Sequence, residues 1–252
     1  QKNLEMPAIL GIIPARYAST RFPAKALADV GGKSMIQRVY EQAKKAKSLT
    51  TVVIATDHNL IYDHVKTFGG DVCMTRESHV SGTDRCFEAL TLQKKPFDYV
   101  INIQGDEPFI QPEQIDLLAS LLDGNTEIAT LKKKISDSEQ ITNPNTVKVV
   151  CSVANHALYF SRSPIPHIRN IEHGQWLSAH TFYKHIGMYA YRTDVLEKLT
   201  NLPPSALEKA ESLEQLRWLE NGFNIKVAET LQETIGIDTP DDLRKALALF
   251  KA

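Results

Sequence analysis

Residues 12–25 carry the sequence Ile12-Ile13-Pro14-Ala15-Arg16-Tyr17-Ala18-Ser19-Thr20-Arg21-Phe22-Pro23-Ala24-Lys25. The apolar run at residues 8–13 is too short for an ordinary helix and stops at Pro14, so it predicts a buried first strand. Arg16, Arg21 and Lys25 then place three cations on one loop, and its two prolines restrict the backbone. Arginine forks and a lysine charge suit a polyphosphate in the crevice beyond the strand ends of an α/β sheet. The alternative is a solvated basic loop, which the prolines and the hydroxyls between the cations make less favourable.

Short apolar strands alternate with helical patterns in the first half of the chain. Beyond the basic loop, the sequence predicts strands over residues 51–56, 71–75, 98–104 and 127–135. It also predicts helices over residues 33–47, 58–68, 82–94 and 112–122. This alternation is typical of a parallel sheet with crossover helices, so we expect one α/β domain over residues 1–252.

The pattern becomes richer in strands in the second half. Strands are predicted over residues 146–152, 157–161 and 185–192, with few helices between them. We expect this β-rich insertion, at about residues 140–200, to bind substrate and to contribute a dimer contact. The sequence then predicts a single helix over residues 205–221, a strand over 224–230 and a closing helix over 240–250 capped by Asp238 or Thr239.

Composition limits the classes of function. The 252 residues carry a formal net charge of −1, so we expect no nucleic-acid partner, and any phosphate-binding charge must be local. The three cysteines form no CxxC pair, and an odd number argues against a disulfide framework, which favours a reduced, cytoplasmic protein. No apolar run approaches membrane-spanning length, and the N-terminal residues lack the apolar core of a signal peptide. We therefore expect no membrane insertion.

Two carboxylates are candidate metal ligands. Asp106 lies in the sequence QGDEP at residues 104–108, directly after a predicted strand. Mg²⁺ takes one or two carboxylates together with substrate phosphates and water, so a carboxylate beside the basic loop predicts a magnesium ligand. The alternative for Asp106 is a polar turn. Asp238 is the natural second carboxylate, although an Asp in front of a helix opened by proline also serves as an N-cap.

Three further motifs can be explained by a turn or a helix cap instead of a ligand-binding role. Residues 31–34, Gly-Gly-Lys-Ser, lack the earlier glycine and the preceding strand of a P-loop, so they favour a turn into a helix. Ser81 is typical of an N-cap for the helix that follows it. Asp57 suits either a ribose contact or a helix cap, and we favour the cap.

The histidines show no zinc-binding pattern, because neither HExxH nor paired Cys and His residues occur. His185 differs from the others because His185, Gly187 and Tyr189 are predicted to share one strand face. Polar and aromatic side chains of this kind suit a sugar site, and a hydrogen-bonded core histidine is the alternative.

The basic loop at residues 12–25 resembles the signature loop of the cytidylyltransferases that activate acidic sugars, above all the CMP-Kdo synthetase family. The resemblance covers nearly the whole chain. It continues at residues 55–58, 72–76, 79–83, 104–108, 143–145, 157–162, 185–187, 213–217 and 238–240. Many separated motifs in the same order make the resemblance specific.

This resemblance implies a Rossmann-like, three-layer nucleotidyltransferase fold with a mixed, mostly parallel sheet. It implies transfer of CMP from CTP to 3-deoxy-D-manno-octulosonate (Kdo), with Mg²⁺ as cofactor, by a homodimer that feeds lipopolysaccharide biosynthesis. The implied catalytic residues are Arg16, Lys25, Asp106 and Asp238, of which the two aspartates hold the metal. The implied nucleotide contacts are Arg16, Arg21, Lys25, Arg76, Ser81, Thr83 and Gln104. The implied sugar contacts are Gln104, Arg162, His185, Tyr189, Glu214 and Gln215.

The chain departs from the commoner family pattern at two positions. Ala24 stands where a glycine is usual before the lysine, and Asp84 stands where glutamate is common. One alternative function is a cytidylyltransferase for sialic or another keto-acid sugar, and another is a non-catalytic nucleotide-sugar binding protein. A dinucleotide-dependent oxidoreductase is disfavoured because no GxGxxG follows the first strand. The residues do not identify a general base.

Overall fold

The structure is a computed structural model that describes residues 6–250. Within these residues the strands are Ile9–Ala15 (β1), Thr51–Thr56 (β2), Val72–Met74 (β3), Tyr99–Asn102 (β4), Ile128–Lys134 (β5), Lys148–Cys151 (β6), Ala157–Ser161 (β7), Tyr183–Arg192 (β8) and Ile225–Glu229 (β9). The α-helices are Met35–Ala43 (α1), Asn59–Thr67 (α2), Gly82–Thr91 (α3), Pro112–Ala119 (α4), Ser138–Thr142 (α5), Trp176–Ala179 (α6), Thr193–Thr200 (α7), Ala206–Glu211 (α8), Gln215–Glu220 (α9) and Pro240–Phe250 (α10). Across the same residues, no helix combines the length and apolar character needed to span a membrane.

The strands form a mixed sheet whose main path has the order β3-β2-β1-β4-β8-β5-β9. The first four of these strands run parallel to one another, and β9 runs parallel to β5. β8 runs antiparallel to both of its neighbours, β4 and β5. The carboxyl ends of β1, β2 and β4 therefore open at one edge of the sheet. This mixed, mostly parallel α/β architecture confirms the predicted fold class.

Alternating side chains of the sheet build a core on each face. In β1, Ile9 and Ile13 pack on the face that α1, α2 and α4 cover. Leu10 and Ile12 pack on the opposite face, which α3, α7 and α9 cover. Strands buried on both faces carry the continuous apolar runs that the sequence shows, because neither side of the sheet meets solvent. The result is three layers, helices on both sides of one sheet.

A smaller core joins the first part of the chain to its last helix. Val30 and Met35 are buried against Ile237 and Ala246, and Phe22 of the basic loop packs at its border. Ser34 caps α1 by accepting a hydrogen bond from the Gln37 N–H, so the Gly-Gly-Lys-Ser stretch is a turn into a helix as predicted. This small core holds α10 beside the basic loop.

The β-rich insertion is a hairpin of β6 and β7 joined to β8 through one residue pair, Lys148 with Lys184. The buried Lys148 ammonium donates to the carbonyl oxygens of Asn143, Thr146 and Arg162 at 2.9, 2.5 and 2.6 Å, which fixes the hairpin to its surroundings. Within about residues 140–200, β8 lies inside the main sheet and α7 packs against that sheet.

The predicted single helix over residues 205–221 is wrong. It is two helices, α8 and α9, separated by Ser212 in the left-handed conformation with φ 53°. This break lets Glu214 and Gln215 start a new helix with its own direction. Three helices, α5, α6 and α7, were not predicted within the strand-rich half.

Candidate active site

A cleft of about 360 Å³ opens at the carboxyl edge of β1 and β4. The basic loop after β1, the turn after β4, the first turn of α3 and Asp238 form its walls. Arg16, Arg21 and Lys25 all border the cleft, so the structure brings together the cations that the sequence placed on one loop. This is the edge at which α/β sheets bind ligands.

Asp57 holds the basic loop through a hydrogen bond to its backbone. It accepts a hydrogen bond from the Tyr17 N–H at 3.0 Å, and the Tyr17 ring stacks on His58 with a centroid distance of 3.9 Å. The other oxygen of Asp57 lies 3.0 Å from Nη2 of Arg85, and both side chains are less than a tenth exposed. His58 caps α2 instead, because its Nδ1 accepts from the Leu60 N–H. The predicted helix cap at Asp57 is therefore wrong.

Arg85 is a functional candidate that sequence reasoning missed. It borders the cleft, and Nη1 also donates to Oγ1 of Thr75 at 2.7 Å and to the carbonyl oxygen of Arg76 at 3.2 Å. These bonds hold the loop before α3 against β2. An arginine at a sheet-facing position of a helix, next to the buried Cys86, was the signal that could have found it.

Lys25 bridges the two predicted metal ligands. Its Nζ lies 2.9 Å from Oδ2 of Asp106 and 3.2 Å from Oδ1 of Asp238. Arg21 Nη2 lies 3.4 Å from the same Asp238 oxygen. The Ile237 N–H donates to the Asp106 carbonyl oxygen at 2.9 Å and so fixes the loop after β9 against the turn after β4. Two cations and two carboxylates thus meet in one cleft.

The cap of α10 is Thr239, which leaves the Asp238 carboxylate available to the cleft. Thr239 Oγ1 accepts from the Asp242 N–H at 3.1 Å. Asp242 in turn accepts from the N–H groups of Thr239 and Asp238 at 2.9 and 3.1 Å. Of the two caps that the sequence left open, Thr239 is the one the structure forms. Thr239 therefore forms the helix cap that the sequence also offered to Asp238.

The chemistry of this donor set fits a hard divalent cation. Asp106 and Asp238 already converge on a single cationic atom, Lys25 Nζ. In the described part of the chain, no group of three or more His, Cys, Asp or Glu side chains is arranged to hold a metal. A pair of carboxylates that leaves further positions to phosphate oxygens and water is the arrangement that Mg²⁺ uses.

Ala24 precedes the bridging lysine in a left-handed conformation, with φ 53° and ψ 33°. A residue with a Cβ costs about 1–2 kcal/mol in this region relative to the right-handed one. Ala24 begins a 3₁₀ turn at Lys25–Leu27, so its backbone sets the direction in which Lys25 leaves the loop. The departure from the family's usual glycine therefore falls at a position where a glycine would fit without strain.

A second cavity of about 180 Å³ continues from the cleft. The two share Pro14, Gly82, Gln104 and Gly105 as walls. Three predicted sugar contacts, Gln104, Tyr189 and Glu214, border the second cavity together with Thr83.

Hydrogen bonds fix the side chains around this second cavity. Gln104 Nε2 donates to the Gly187 carbonyl oxygen at 2.8 Å, and Thr83 Oγ1 donates to Glu214 Oε2 at 3.0 Å. Burial raises the pKa of Glu214 above its usual value.

His185 lies apart from these two cavities. It borders a third cavity, of about 350 Å³, and its ring lies 5.2 Å from that of Tyr189 on the same strand. Its Nε2 lies 2.9 Å from Oγ1 of Thr130. Burial lowers the pKa of His185 to about 3, so the imidazole is neutral. Glu107 borders the same cavity, and burial together with the charge of Asp106 raises the pKa of Glu107 to about 8.

Arg162 points its guanidinium at backbone carbonyls. It donates to Glu211, Pro144 and Ser212 at 2.7, 3.0 and 3.2 Å, which takes three of the five N–H groups of an arginine. Gln215 is buried and borders neither the cleft nor the second cavity.

The loop that carries Arg76 and Ser81, two of the nucleotide contacts that the resemblance implies, is only partly directed at the cleft. Arg76 is exposed, with its Nε 3.6 Å from Glu88, and it does not border the cleft. Ser81 borders the cleft and caps α3, since its Oγ accepts from the Asp84 N–H at 3.1 Å. His79 also borders the cleft and contacts Glu88 through Nε2.

Comparison with known proteins identifies relatives over nearly the whole chain. Residues 10–231 match the family model described as Cytidylyltransferase. The 3-deoxy-manno-octulosonate cytidylyltransferase of Parabacteroides distasonis is 58% identical over 250 residues, which cover 97% of this chain and 99% of the relative. The protein of the same name from Cytophaga hutchinsonii is 57% identical, over 94% of this chain and 95% of its own.

Solved structures agree with these relatives. A CMP:2-keto-3-deoxy-manno-octonic acid synthetase complexed with CTP superposes with a TM-score of 0.90 at 44% identity, covering 97% of this chain and 98% of the other. A 4-diphosphocytidyl-2C-methyl-D-erythritol synthase from Anaerococcus prevotii superposes with a TM-score of 0.66 at 16% identity, over 99% and 98% of the two chains. The second likeness concerns the fold alone.

Proposed function

This chain belongs to the 3-deoxy-manno-octulosonate cytidylyltransferase family, and we infer from that membership that it transfers CMP from CTP to Kdo with release of pyrophosphate. The observation in the structure that carries this function is the meeting of Arg21 and Lys25 with Asp106 and Asp238 in one cleft. The product, CMP-Kdo, is the form of the sugar that enters lipopolysaccharide biosynthesis.

The reaction exchanges one phosphorus–oxygen bond for another. The anomeric hydroxyl oxygen of Kdo bonds to the α-phosphorus of CTP, and the bond from that phosphorus to the oxygen bridging to the β-phosphorus breaks. Pyrophosphate takes the bonding electrons, and the hydroxyl proton passes to solvent. Such a transfer needs little covalent chemistry from the protein, because positioning and charge stabilisation supply most of the catalysis.

We propose that Arg16, Arg21 and Lys25 bind the triphosphate. Arginine offers phosphate a bidentate fork and lysine a compact charge, and both kinds of cation border the cleft. Lys25 would exchange its two carboxylate partners for phosphate oxygens when CTP binds. Mg²⁺ held by Asp106 and Asp238 would neutralise charge on the transferring and leaving phosphates.

The remaining nucleotide contacts follow from the resemblance and from the walls of the cleft. Ser81 and Gln104 border the cleft, and Thr83 lies in the first turn of α3 beside it. We propose that backbone groups near Ser81 and Thr83 meet the pyrimidine, together with Arg76. Because Arg76 is exposed and 3.6 Å from Glu88, it must turn toward the cleft to do so.

We propose that the sugar occupies the second cavity, with Gln104, Tyr189 and Glu214 as its contacts. The other sugar residues that the resemblance implies, Arg162, His185 and Gln215, do not border the second cavity. Arg162 keeps two N–H groups beyond its three carbonyl bonds, which is enough for a bidentate contact with the sugar carboxylate.

We further propose a homodimer that works in the cytoplasm. Val153 and Leu158, on the β6–β7 hairpin, and Leu207 of α8 are exposed apolar side chains in the region predicted to form a dimer contact. All three cysteines are free thiols, which fits a reducing compartment. Analytical ultracentrifugation of wild type and Val153→Glu measures the oligomeric state, and a monomeric wild type would contradict the dimer.

Pyrophosphate release tests the function directly. CTP, Kdo and Mg²⁺ are expected to release pyrophosphate, whereas the other nucleoside triphosphates, sialic acid in place of Kdo, or EDTA in place of Mg²⁺ are not. Release with sialic acid instead would support a cytidylyltransferase for another keto-acid sugar. Binding of CTP without release with any sugar would support the non-catalytic alternative.

Lys25→Ala tests the phosphate site within the same assay. We expect the KM for CTP to rise by about tenfold or more, because charged hydrogen bonds to phosphate are worth about 1.5–3 kcal/mol. Lys33→Ala is the matched control, because Lys33 pairs with Glu41 at 2.6 Å on the surface and does not border the cleft. Equal KM values for CTP in the two variants would mean that Lys25 does not bind the triphosphate.

A further inference from the structure

Two neighbouring strands place a pair of polar side chains at the floor of the second cavity. Asn102, the last residue of β4, lies opposite Tyr189 of β8 in the antiparallel register. Side chains of such cross-strand partners project on the same face of the sheet. Both residues are buried, with 6% of Asn102 and 8% of Tyr189 exposed.

Neither side chain is satisfied by the protein. Within residues 6–250, Oδ1 of Asn102 and Oη of Tyr189 are both buried and have no hydrogen-bond partner. The surroundings of the Tyr189 ring are aromatic, with Trp218 at 5.0 Å and Tyr191 at 5.9 Å between centroids. Burying a polar atom without a partner costs free energy, so unsatisfied groups in native proteins call for a functional explanation.

Both residues border the second cavity, whose walls also carry Glu214 and Gln104. The first turn of α3 lies directly against the amide, because a Cβ built on Gly82 would stand 3.5 Å from Asn102 Nδ2. This cavity shares four wall residues with the cleft, so the two cavities adjoin each other.

We propose that Asn102 and Tyr189 together bind one hydroxyl group of a substrate, with the hydroxyl donating to Asn102 Oδ1 and accepting from Tyr189 Oη. The inference rests on the proposed function and adds Asn102 to the binding residues. A hydroxyl suits this pair because it is donor and acceptor at once, whereas a carboxylate or phosphate would offer Oδ1 no donor. Both substrates carry such a group, CTP on its ribose and Kdo along its carbon chain.

Near-isosteric variants separate binding from folding. Asn102→Leu and Tyr189→Phe each remove the unsatisfied polar atom and keep most of the side-chain volume. We expect the affinity for one substrate to fall about tenfold, the effect of one lost hydrogen bond, while the unfolding temperature stays the same or rises. A purely structural residue would show the opposite sign, with lower stability and unchanged affinity.

Calorimetric titrations with CTP and with Kdo, run separately, identify which hydroxyl is bound. A loss confined to CTP assigns the ribose, and either 2′-deoxy-CTP or 3′-deoxy-CTP, whichever lacks the bound hydroxyl, then binds wild type as weakly as CTP binds the variant. A loss confined to Kdo assigns the sugar. Gln114→Met is the matched control: Gln114 is 1% exposed, its Nε2 also lacks a partner in the described chain, and it borders neither cavity.

Unchanged affinity of Asn102→Leu for both substrates overturns the proposal, as does an equal loss in Gln114→Met. Failure of the proposed function gives a different result, because wild type then releases no pyrophosphate with Kdo. In that event the CTP titrations still decide the proposal, since they require no turnover.

Discussion

Replacing Ala24 by glycine is expected to stabilise the protein. Ala24 has φ 53°, where a Cβ costs about 1–2 kcal/mol, and glycine avoids that cost. Glycine also loses more backbone entropy on folding, which offsets about 0.5–1 kcal/mol of the gain. The net expectation is a rise of about 0.5–1 kcal/mol in the free energy of unfolding, or about 1–4 °C in Tm for a chain of this size.

Ala18→Gly is the matched control for this prediction. It is the same substitution in the same loop, at an exposed residue that is not among the described positions of positive φ. Because only the entropy cost applies there, Ala18→Gly is expected to lower the free energy of unfolding by up to about 1 kcal/mol. Urea titrations and thermal melts followed by circular dichroism measure both variants against wild type.

The reasoning would be refuted if the two variants shifted stability in the same direction, or if Ala24→Gly lowered it. Either result would mean that the left-handed conformation at Ala24 does not carry the strain assigned to it. The KM for CTP serves as a second measurement, and it is expected to stay within about twofold of wild type because glycine keeps the same backbone path for Lys25.

Three further predictions concern the cleft and its supports. Asp106→Asn is expected to reduce turnover by on the order of 10²-fold or more, because losing even a residue that only hydrogen-bonds to a metal ligand costs about 10–100-fold. Full activity of this variant at ordinary Mg²⁺ concentrations would exclude Asp106 as a metal ligand. Burial lowers the pKa of His185 in the folded state to about 3, from about 6.5 in the unfolded state. The unfolded state therefore binds a proton more readily, so the contribution of His185 to the free energy of unfolding is full above pH 6.5 and is lost as the pH falls toward 3. At pH 5 wild type should therefore have lost about 2 kcal/mol relative to His185→Gln, and parallel pH profiles of the two would contradict the burial of a neutral imidazole. Asp57→Asn leaves Arg85 buried without its charge partner and is expected to cost about 3–5 kcal/mol in urea unfolding, whereas Asp194→Asn, in an exposed pair, is expected to cost less than about 1 kcal/mol.

The sequence was most informative where local pattern and structure coincide. The apolar run before Pro14 and the cations after it predicted both a buried strand and a basic loop at its carboxyl end, and the structure forms both. Asp106 could be predicted as part of the candidate site because a carboxylate that follows a parallel strand lies at the same edge of the sheet as the basic loop. These inferences need only the geometry of a parallel sheet.

Long-range partners could not be predicted in this way. The prediction of a helix cap at Asp57 used only the neighbouring sequence. In the structure, Asp57 instead pairs with Arg85, which lies 28 residues further along the chain. The break at Ser212 was hidden for a related reason, because the apolar spacing of residues 207–219 continues through it. One residue in the left-handed conformation redirects a helix without changing the periodicity of the sequence.

The orphaned atoms of Asn102 and Tyr189 were equally invisible in the sequence. Asn102 ends a strand whose other residues are apolar, apart from Tyr99, and nothing in that pattern shows whether an amide finds a partner. Only the register between β4 and β8 places the two side chains opposite each other. Antiparallel pairing of distant strands depends on tertiary packing, which periodicity does not encode.

The small core that joins Val30 and Met35 to Ile237 and Ala246 has a consequence for protein synthesis. The ribosome synthesises the basic loop well before it reaches Asp238. A nascent chain halted after β9 but before Asp238 would contain the strands of the sheet and the cations, but it would lack one of the two carboxylates that Lys25 bridges. If Asp238 holds the metal as proposed, such ribosome-bound intermediates are expected to be inactive on CTP, because the site is completed only when the segment around Asp238 packs against the turn after β4.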